Sequence, residues 1–150
     1  MAAKKTTQTV EVVGLKESLK AMRGLPKDAS RALRAASKEI AGGTARAAIS
    51  RGVGLGGVQR LAAESVKAGS DRVPRIVSGG AKRLGHRKTP AGAIFFGAEF
   101  GGGVRPTTQQ FPRHLGQTGY FLWPTIRDRK SQDLAIYHAA LRAVCNEWAS

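Results

Sequence analysis

Acidic residues, aromatics, cysteine and long apolar runs are all scarce in this chain, and each scarcity excludes something. Ten Asp and Glu stand against 25 Lys and Arg, a formal net charge of +15. A small soluble domain ordinarily carries a magnitude of about 2–8. The excess therefore predicts a polyanion or an acidic protein surface as partner; a basic surface that merely faces solvent is the bland alternative. One cysteine, Cys145, excludes an internal disulfide. Its place in the apolar half of the last expected helix predicts a buried, inert thiol. Apolar runs stay as short as Ala93–Phe96, far below a membrane span, so no membrane partner is expected. The opening MAAKKTTQT has lysines with no apolar stretch behind them. That predicts no signal peptide and synthesis in a cytosol.

Motifs for catalysis are missing too. There is no G-x-S-x-G, H-E-x-x-H or P-loop. His86, His114 and His138 are too widely spaced for a metal-ligand set. The nearest acids of interest, Asp128 and Asp133, sit on one expected helix among arginines. Gly52, Gly54 and Gly57 formally match G-x-G-x-x-G, but a helix precedes them where the dinucleotide fingerprint needs a strand. RGVGLGG, Arg51 to Gly57, is instead expected to be a flexible loop. No enzyme activity, cofactor or metal is expected.

What the chain does have is Ala, Gly and basic side chains, with its few aromatics concentrated in one place. Seven of nine (Phe95, Phe96, Phe100, Phe111, Tyr120, Phe121 and Trp123) lie between Ala91 and Lys130. The core is expected to be built around that stretch. With 150 residues the chain is long enough for one domain, burying roughly 70% of its unfolded surface.

Residues 1–150 are expected to form a single domain, with Met1–Thr6 as a flexible arm. Alternation over Thr7–Val13 predicts a short strand. Leu15, Leu19 and Met22 predict a short helix over Leu15–Arg23, ended by Gly24. Pro26 opens the next, a helix over Lys27–Ser50. One of its stripes is apolar: Ala29, Leu33, Ala36 and Ile40. Another is basic: Lys27, Arg31, Arg34 and Lys38. The two are displaced by two residues, about 200° around the helix, so the basic face is expected to point outward. It either faces DNA or an acidic ring, or is simply solvated. Gly42 and Gly43 predict a bend or fray.

Val58–Ala63 reads as a helical turn, and Glu64–Ala68 with Arg72–Ser78 as a hairpin turning at Gly69–Asp71. Pro74 puts its second arm at an edge. Gly79–Gly92 reads as a loop whose Arg83, Arg87 and Lys88 can reach phosphates or an acidic neighbour. Ile94–Phe100, apolar on both faces at its start, predicts a central strand, with Phe96 buried. Gly101–Gly119 is a long loop carrying Arg105 and Arg113, too long to lack a task. Pro124 is expected to start a final helix. Its stripe of Leu134, Tyr137, Leu141, Val144 and Trp148 would pack on the sheet, and Arg129 would pair with Asp133 at i, i+4. The fold class is α+β: a small antiparallel sheet packed against a long N-terminal helix and a C-terminal helix, with long Gly-rich loops.

In this order the features resemble the lambdoid gene-product-ten-like family of tailed-phage neck, or tail-completion, proteins. Val10–Ala41, VEVVGLKESLKAMRGLPKDASRALRAASKEIA, is similar to the family's opening strand, "GL-K-L" helix, "LP" break and Ala/Arg-rich helix. AIFFGAEFGGG, Ala93–Gly103, is similar to its aromatic strand ending in "E-F-G-T": Glu99, Phe100 and Gly101 match, and Gly102 stands for Thr. FLWPTIRDRKSQDL, Phe121–Leu134, is similar to its "P-F-L-R-P-A" helix opening: Phe121, Leu122 and Pro124 match, while Tyr120 and Trp123 replace Pro and Arg. Arg51–Gly92 matches only loosely, and the basic charge departs from the usual acidic pattern.

The resemblance implies a virion protein, assembled in the host cytoplasm, that forms a homo-oligomeric ring at the head–tail junction. Its neighbours would be head-closure or connector proteins on one side and tail-terminator or tail-tube proteins on the other. Genomic DNA would pass through non-specifically. The alternative is a small basic nucleic-acid-binding module outside any virion.

Overall fold

A computed structural model describes Lys20, residues 23–102 and residues 110–149, with side chains to residue 147. The expected arm, the strand at Thr7–Val13, most of the helix at Leu15–Arg23, and Arg105 lie outside the described residues.

The chain folds on two long helices. Helix α1, Lys27–Leu55, follows Pro26, whose fixed φ suits a helix start. It buries Ala29, Leu33, Ser37, Ile40, Ala41, Thr44, Ala45, Ala48 and Gly52, a helical stripe in steps of three, four and one. The predicted apolar stripe thus sits inward, with Ala36 only half-buried, and Lys27, Arg31, Arg34 and Lys38 are exposed. Helix α1 passes Gly42 and Gly43 unbroken and continues through Arg51–Leu55, where a loop was expected. The cause is packing. A Cβ at Gly52 would lie 2.6 Å from the Cβ of Ala63 and 3.3 Å from Phe121. The glycine is the contact point with helix α2, Gly57–Ala63. The first glycine of the formal dinucleotide pattern is therefore a packing residue, and Gly56, just past the helix end, breaks the chain direction at φ 72°.

The second long helix comes last, and α1 runs antiparallel to it. Ala29 and Leu33 cluster with Val144, with Tyr137 and Leu141 packed alongside. Thr44 Oγ1 donates to Asp133 at 2.7 Å, and Arg51 reaches Asp128 at 2.9 Å. As numbers rise along α1 they fall along this helix. It spans Leu122–Ala149, starting two residues before the expected Pro124, which lies in its first turn. Its stripe packs on α1, not on a sheet as expected, and Leu134 is 45% exposed. The expected contribution of Trp148 lies outside the described side chains. Cys145 is exposed, contrary to the expected buried thiol, because it lies beside the stripe and not on it. The predicted Arg129–Asp133 pair forms at 3.4 Å and recruits Thr44, whose hydroxyl accepts from Arg129 Nε at 3.1 Å.

Between the long helices come two antiparallel hairpins in place of one sheet. Strand β1 (Lys67–Gly69) pairs with β2 (Arg75–Val77), Lys67 opposite Val77. The hairpin expected there is present with a longer connection. That connection docks on both long helices, because the Arg72 carbonyl accepts from Ser37 Oγ (2.8 Å) and Tyr137 OH (3.1 Å). Burial pushes the Tyr137 phenol above its ordinary pKa. Strand β3 (Arg83–Leu84) pairs with β4 (Thr89–Pro90) inside the expected Gly79–Gly92 loop.

The largest correction concerns Ile94–Phe100, expected as a central strand. It is helical, within α3, Ala91–Phe100. Ala91, Ile94, Phe95, Ala98 and Glu99 form its buried face in steps of three and one. A short apolar run fits both templates, and periodicity alone does not separate them. On a helix, Phe96 points away from that face and is 49% exposed, not buried as expected. Phe95 and Phe121 meet edge to face at 5.8 Å and, with Ala45, Ala48, Ala62 and Ala98, form the largest apolar cluster. The closing helix, Leu122–Ala149, is α4.

Candidate functional site

Three groups of residues bear on function: the segments that carry the family resemblance, the exposed aromatics and the cations.

Two of the three resemblance segments, Ala93–Gly103 and Phe121–Leu134, meet each other. Glu99 is fully buried near the end of α3, and its carboxylate lies over the start of α4. Oε2 accepts the amides of Phe121 (3.3 Å) and Leu122 (3.0 Å), and Oε1 accepts that of Trp123 (2.9 Å). The first amides of a helix have no partner inside it, so Glu99 supplies from another helix what an N-cap side chain supplies locally. The Glu99 carbonyl also accepts from the Tyr120 amide at 2.8 Å. A side chain at Gly119 would collide with Glu99 Oε1. Gly101 ends α3 at φ 82°, where a Cβ would collide with the Arg113 carbonyl. Glu99, Gly101, Phe121 and Leu122 are therefore the joint between α3 and α4. Pro124, buried in the first turn, completes it at a position where a missing amide costs nothing.

The same joint presents an aromatic ridge. Phe96 and Phe100 stack one turn apart with ring centres 6.3 Å apart and planes at 17°. Phe100 shares a shallow cleft with Trp123, Gln117 and Arg127. Trp123 is 38% exposed. Arg127 is anchored beside it by donating to the Thr118 carbonyl. Two or three large aromatics on one surface are the type of anchor that protein interfaces favour. Of the two phenylalanines expected in the core, Phe96 is exposed and Phe100 half-buried.

The cations form separate groups. Lys27, Arg31 and Arg34 line a cleft of about 440 Å³ together with Arg23, Arg72 and Ser30; Lys38 does not line it. Arg72 comes from the β1–β2 connection, and its Nε donates to Ser30 Oγ at 2.8 Å. Arg31 pairs with Asp28 at 3.4 Å, but both side chains are at least 80% exposed, so the pair is weak. Arg72 had no mark in the sequence: its contact with Ser30 spans 42 residues.

In the β3–β4 hairpin, Arg83 NH1 donates to the Lys88 carbonyl at 3.0 Å and braces the turn. Arg87 and Lys88 are exposed there. Arg113 is exposed on another segment, and its carbonyl accepts from Tyr120 OH. Arg105 is outside the described residues. The structure thus brings Lys27, Arg31 and Arg34 into one site.

The acids considered above are both engaged. Asp128 accepts from Arg51, and Asp133 from Thr44 and Arg129. Among the described residues no group of three or more His, Cys, Asp or Glu is placed to hold a metal, and no helix is long and apolar enough to cross a membrane. An apolar groove of about 510 Å³ runs between α1, β2 and α4, lined by Ile40, Ile76, Ile126, Leu134 and Tyr137 among others. Comparison with protein-family models, curated proteins and solved structures finds no match to this chain.

Proposed function

We propose that this chain is a structural subunit of a tailed-phage virion, forming a homo-oligomeric ring at the head–tail junction around the DNA channel. The observation that carries the reading is a division of the surface between the two ends of α1. The aromatic ridge is carried by α3 and the start of α4, whose buried Phe95, Ala98, Phe121 and Leu122 share one cluster with Ala45 and Ala48 of α1. The cationic cleft sits near Lys27–Arg34. From Arg31 to Ala48 is about 25 Å along the helix. A ring subunit needs this division: an apolar edge for its neighbour and a cationic face for DNA or an acidic ring above or below. Cyclic assemblies use the same pair of patches at every contact.

In this reading Phe96, Phe100 and Trp123 contact the next copy or the adjoining connector, tail-terminator or tail-tube protein. The chain is not an enzyme and needs no cofactor. The second reading, a free basic nucleic-acid-binding module, is favoured by the cleft alone and leaves the aromatic ridge without a task.

The test is assembly. The purified chain should form rings by electron microscopy and sedimentation, or join tails to connectors in reconstitution. Phe96→Ser with Trp123→Gln should leave a folded chain, since both side chains are substantially exposed, while abolishing rings and joining. A chain that stays monomeric at every concentration and ignores tails and connectors would overturn the proposal.

A further inference from the structure

We infer that the cleft between the start of α1 and the β1–β2 connection is a nucleic-acid phosphate site, with Arg72 as its fixed fork. It deepens the reading above only in taking the polyanion to be nucleic acid, and it holds for a single subunit whether or not rings form.

The cleft is built, not merely charged. Arg72 reaches it from a connection clamped to both long helices through its own carbonyl, which accepts from Ser37 and Tyr137. Its guanidinium is then aimed by Nε donating to Ser30, a residue itself only 9% exposed. That leaves the two terminal nitrogens, the pair that grips a phosphate oxygen on each arm. Around this fork stand Arg23, Lys27, Arg31 and Arg34. The ion pairs among the described residues involve other cations than Arg23, Lys27, Arg34 and Arg72.

Spacing and lining both favour a phosphate backbone. Lys27 and Arg34 are seven positions apart, about 10 Å along a helix. One DNA strand advances about 3.4 Å per phosphate, so the row spans roughly three phosphates. Among the described residues that line the cleft, Leu25 is the only apolar one. An acidic protein partner would be expected to add an apolar centre to its interface. A phosphate backbone needs only cations in reach. The contact would carry no base readout, so binding should be indifferent to sequence.

The experiment is duplex binding by fluorescence anisotropy across a salt series, using two unrelated 20-base-pair sequences. The triple variant Arg31→Gln, Arg34→Gln, Arg72→Gln should bind both sequences more weakly. It should also flatten the plot of log affinity against log salt by about 0.9 for each phosphate that is no longer neutralised. A second triple, Arg46→Gln, Arg60→Gln, Arg142→Gln, removes the same charge from exposed positions outside the cleft and should change the slope far less. Ser30→Ala keeps every charge. It should lower affinity severalfold at fixed salt with the slope unchanged, because it frees the fork without removing it.

Melting curves guard against misfolding, and Arg72→Gln keeps the carbonyl that Ser37 and Tyr137 hold. Equal weakening by the two triples would overturn the inference, since bulk charge would then suffice. So would a parent chain that ignores duplex at low salt but binds poly-glutamate. Sedimentation of the same variants separates the two proposals: rings that persist while duplex binding disappears support the cleft, and absent rings with intact duplex binding sink only the assembly reading.

Discussion

Replacing Glu99 with Gln tests the joint between α3 and α4 with almost no change of shape. The carboxylate accepts three backbone amides, from Phe121, Leu122 and Trp123, with its side chain fully buried. Glutamine keeps one acceptor oxygen. If that oxygen takes the place of Oε2, it serves Phe121 and Leu122, and the new NH2 then faces the Trp123 amide. Two donors are left opposed where water cannot reach them. A hydrogen bond to a charged group contributes ~1.5–3 kcal/mol, and a buried donor stranded without an acceptor costs a further ~1–3 kcal/mol. Relaxation of the helix end recovers part of that, so Glu99→Gln should cost about 2–4 kcal/mol. In a chain of this length ~3 kcal/mol corresponds to a melting shift of about 6–12 °C.

Urea titration with far-UV circular dichroism would measure the destabilisation. Hydrogen exchange at Phe121, Leu122 and Trp123 would locate it. Because the site is buried, the cost should persist in molar salt, where a screened interaction of the carboxylate with the helix dipole alone would fade. A variant within about 0.5 kcal/mol of the parent, well below the cost of one stranded donor, with those three amides still protected, would refute the capping role.

Two other substitutions probe the same framework. Gly101→Ala places a methyl group against the Arg113 carbonyl at a positive φ and should destabilise by roughly 1–3 kcal/mol, read as a lower melting temperature. In a double-mutant cycle, Thr44→Val and Asp133→Asn should couple by about 0.5–3 kcal/mol, since the Thr44 hydroxyl donates to Asp133 and accepts from Arg129 in a half-buried network; additive urea midpoints would show that the network adds nothing to the pairing of α1 with α4.

Much of the frame was legible. The stripe of Ala29, Leu33 and Ile40 repeats at helical steps without a competing pattern, and α1 is there. The β1–β2 hairpin was legible from its turn residues. Ile94–Phe100 was not, because Ile94, Phe96, Ala98 and Phe100 alternate as a strand would, while Ile94, Phe95, Ala98 and Glu99 repeat as a helix would. Glu99 held the tie-breaking signal. A carboxylate in an otherwise apolar run, close to a glycine stop, is unfavourable both in a central strand and at the negative end of its own helix. Only an external row of donors makes it favourable, and the start of α4 supplies that row. The cleft was half legible: its α1 side follows from periodicity, whereas Arg72 enters through a contact that no local pattern encodes.

That difference bears on what the family resemblance can carry. Glu99, Gly101, Phe121, Leu122 and Pro124 are the residues on which it rests most heavily, and in the fold they act on one another. A sequence under pressure to cap α4 from α3 would keep them whatever the surface did, so they speak for architecture. Function has to be argued from residues that the fold does not require. Phe96 is such a residue: it lies half in solvent on a helix whose other face already fills the core. Arg23, Lys27 and Arg34 are others, set together in like-charge proximity that the folded chain bears as a cost. Both groups destabilise the isolated subunit slightly, one by exposing apolar area and the other by repulsion, and both costs vanish when a partner covers them. The proposed ring assigns the two groups different partners: the cluster beneath the aromatic ridge reaches α1 at Ala45 and Ala48, about 25 Å along that helix from Arg31 in the cationic cleft.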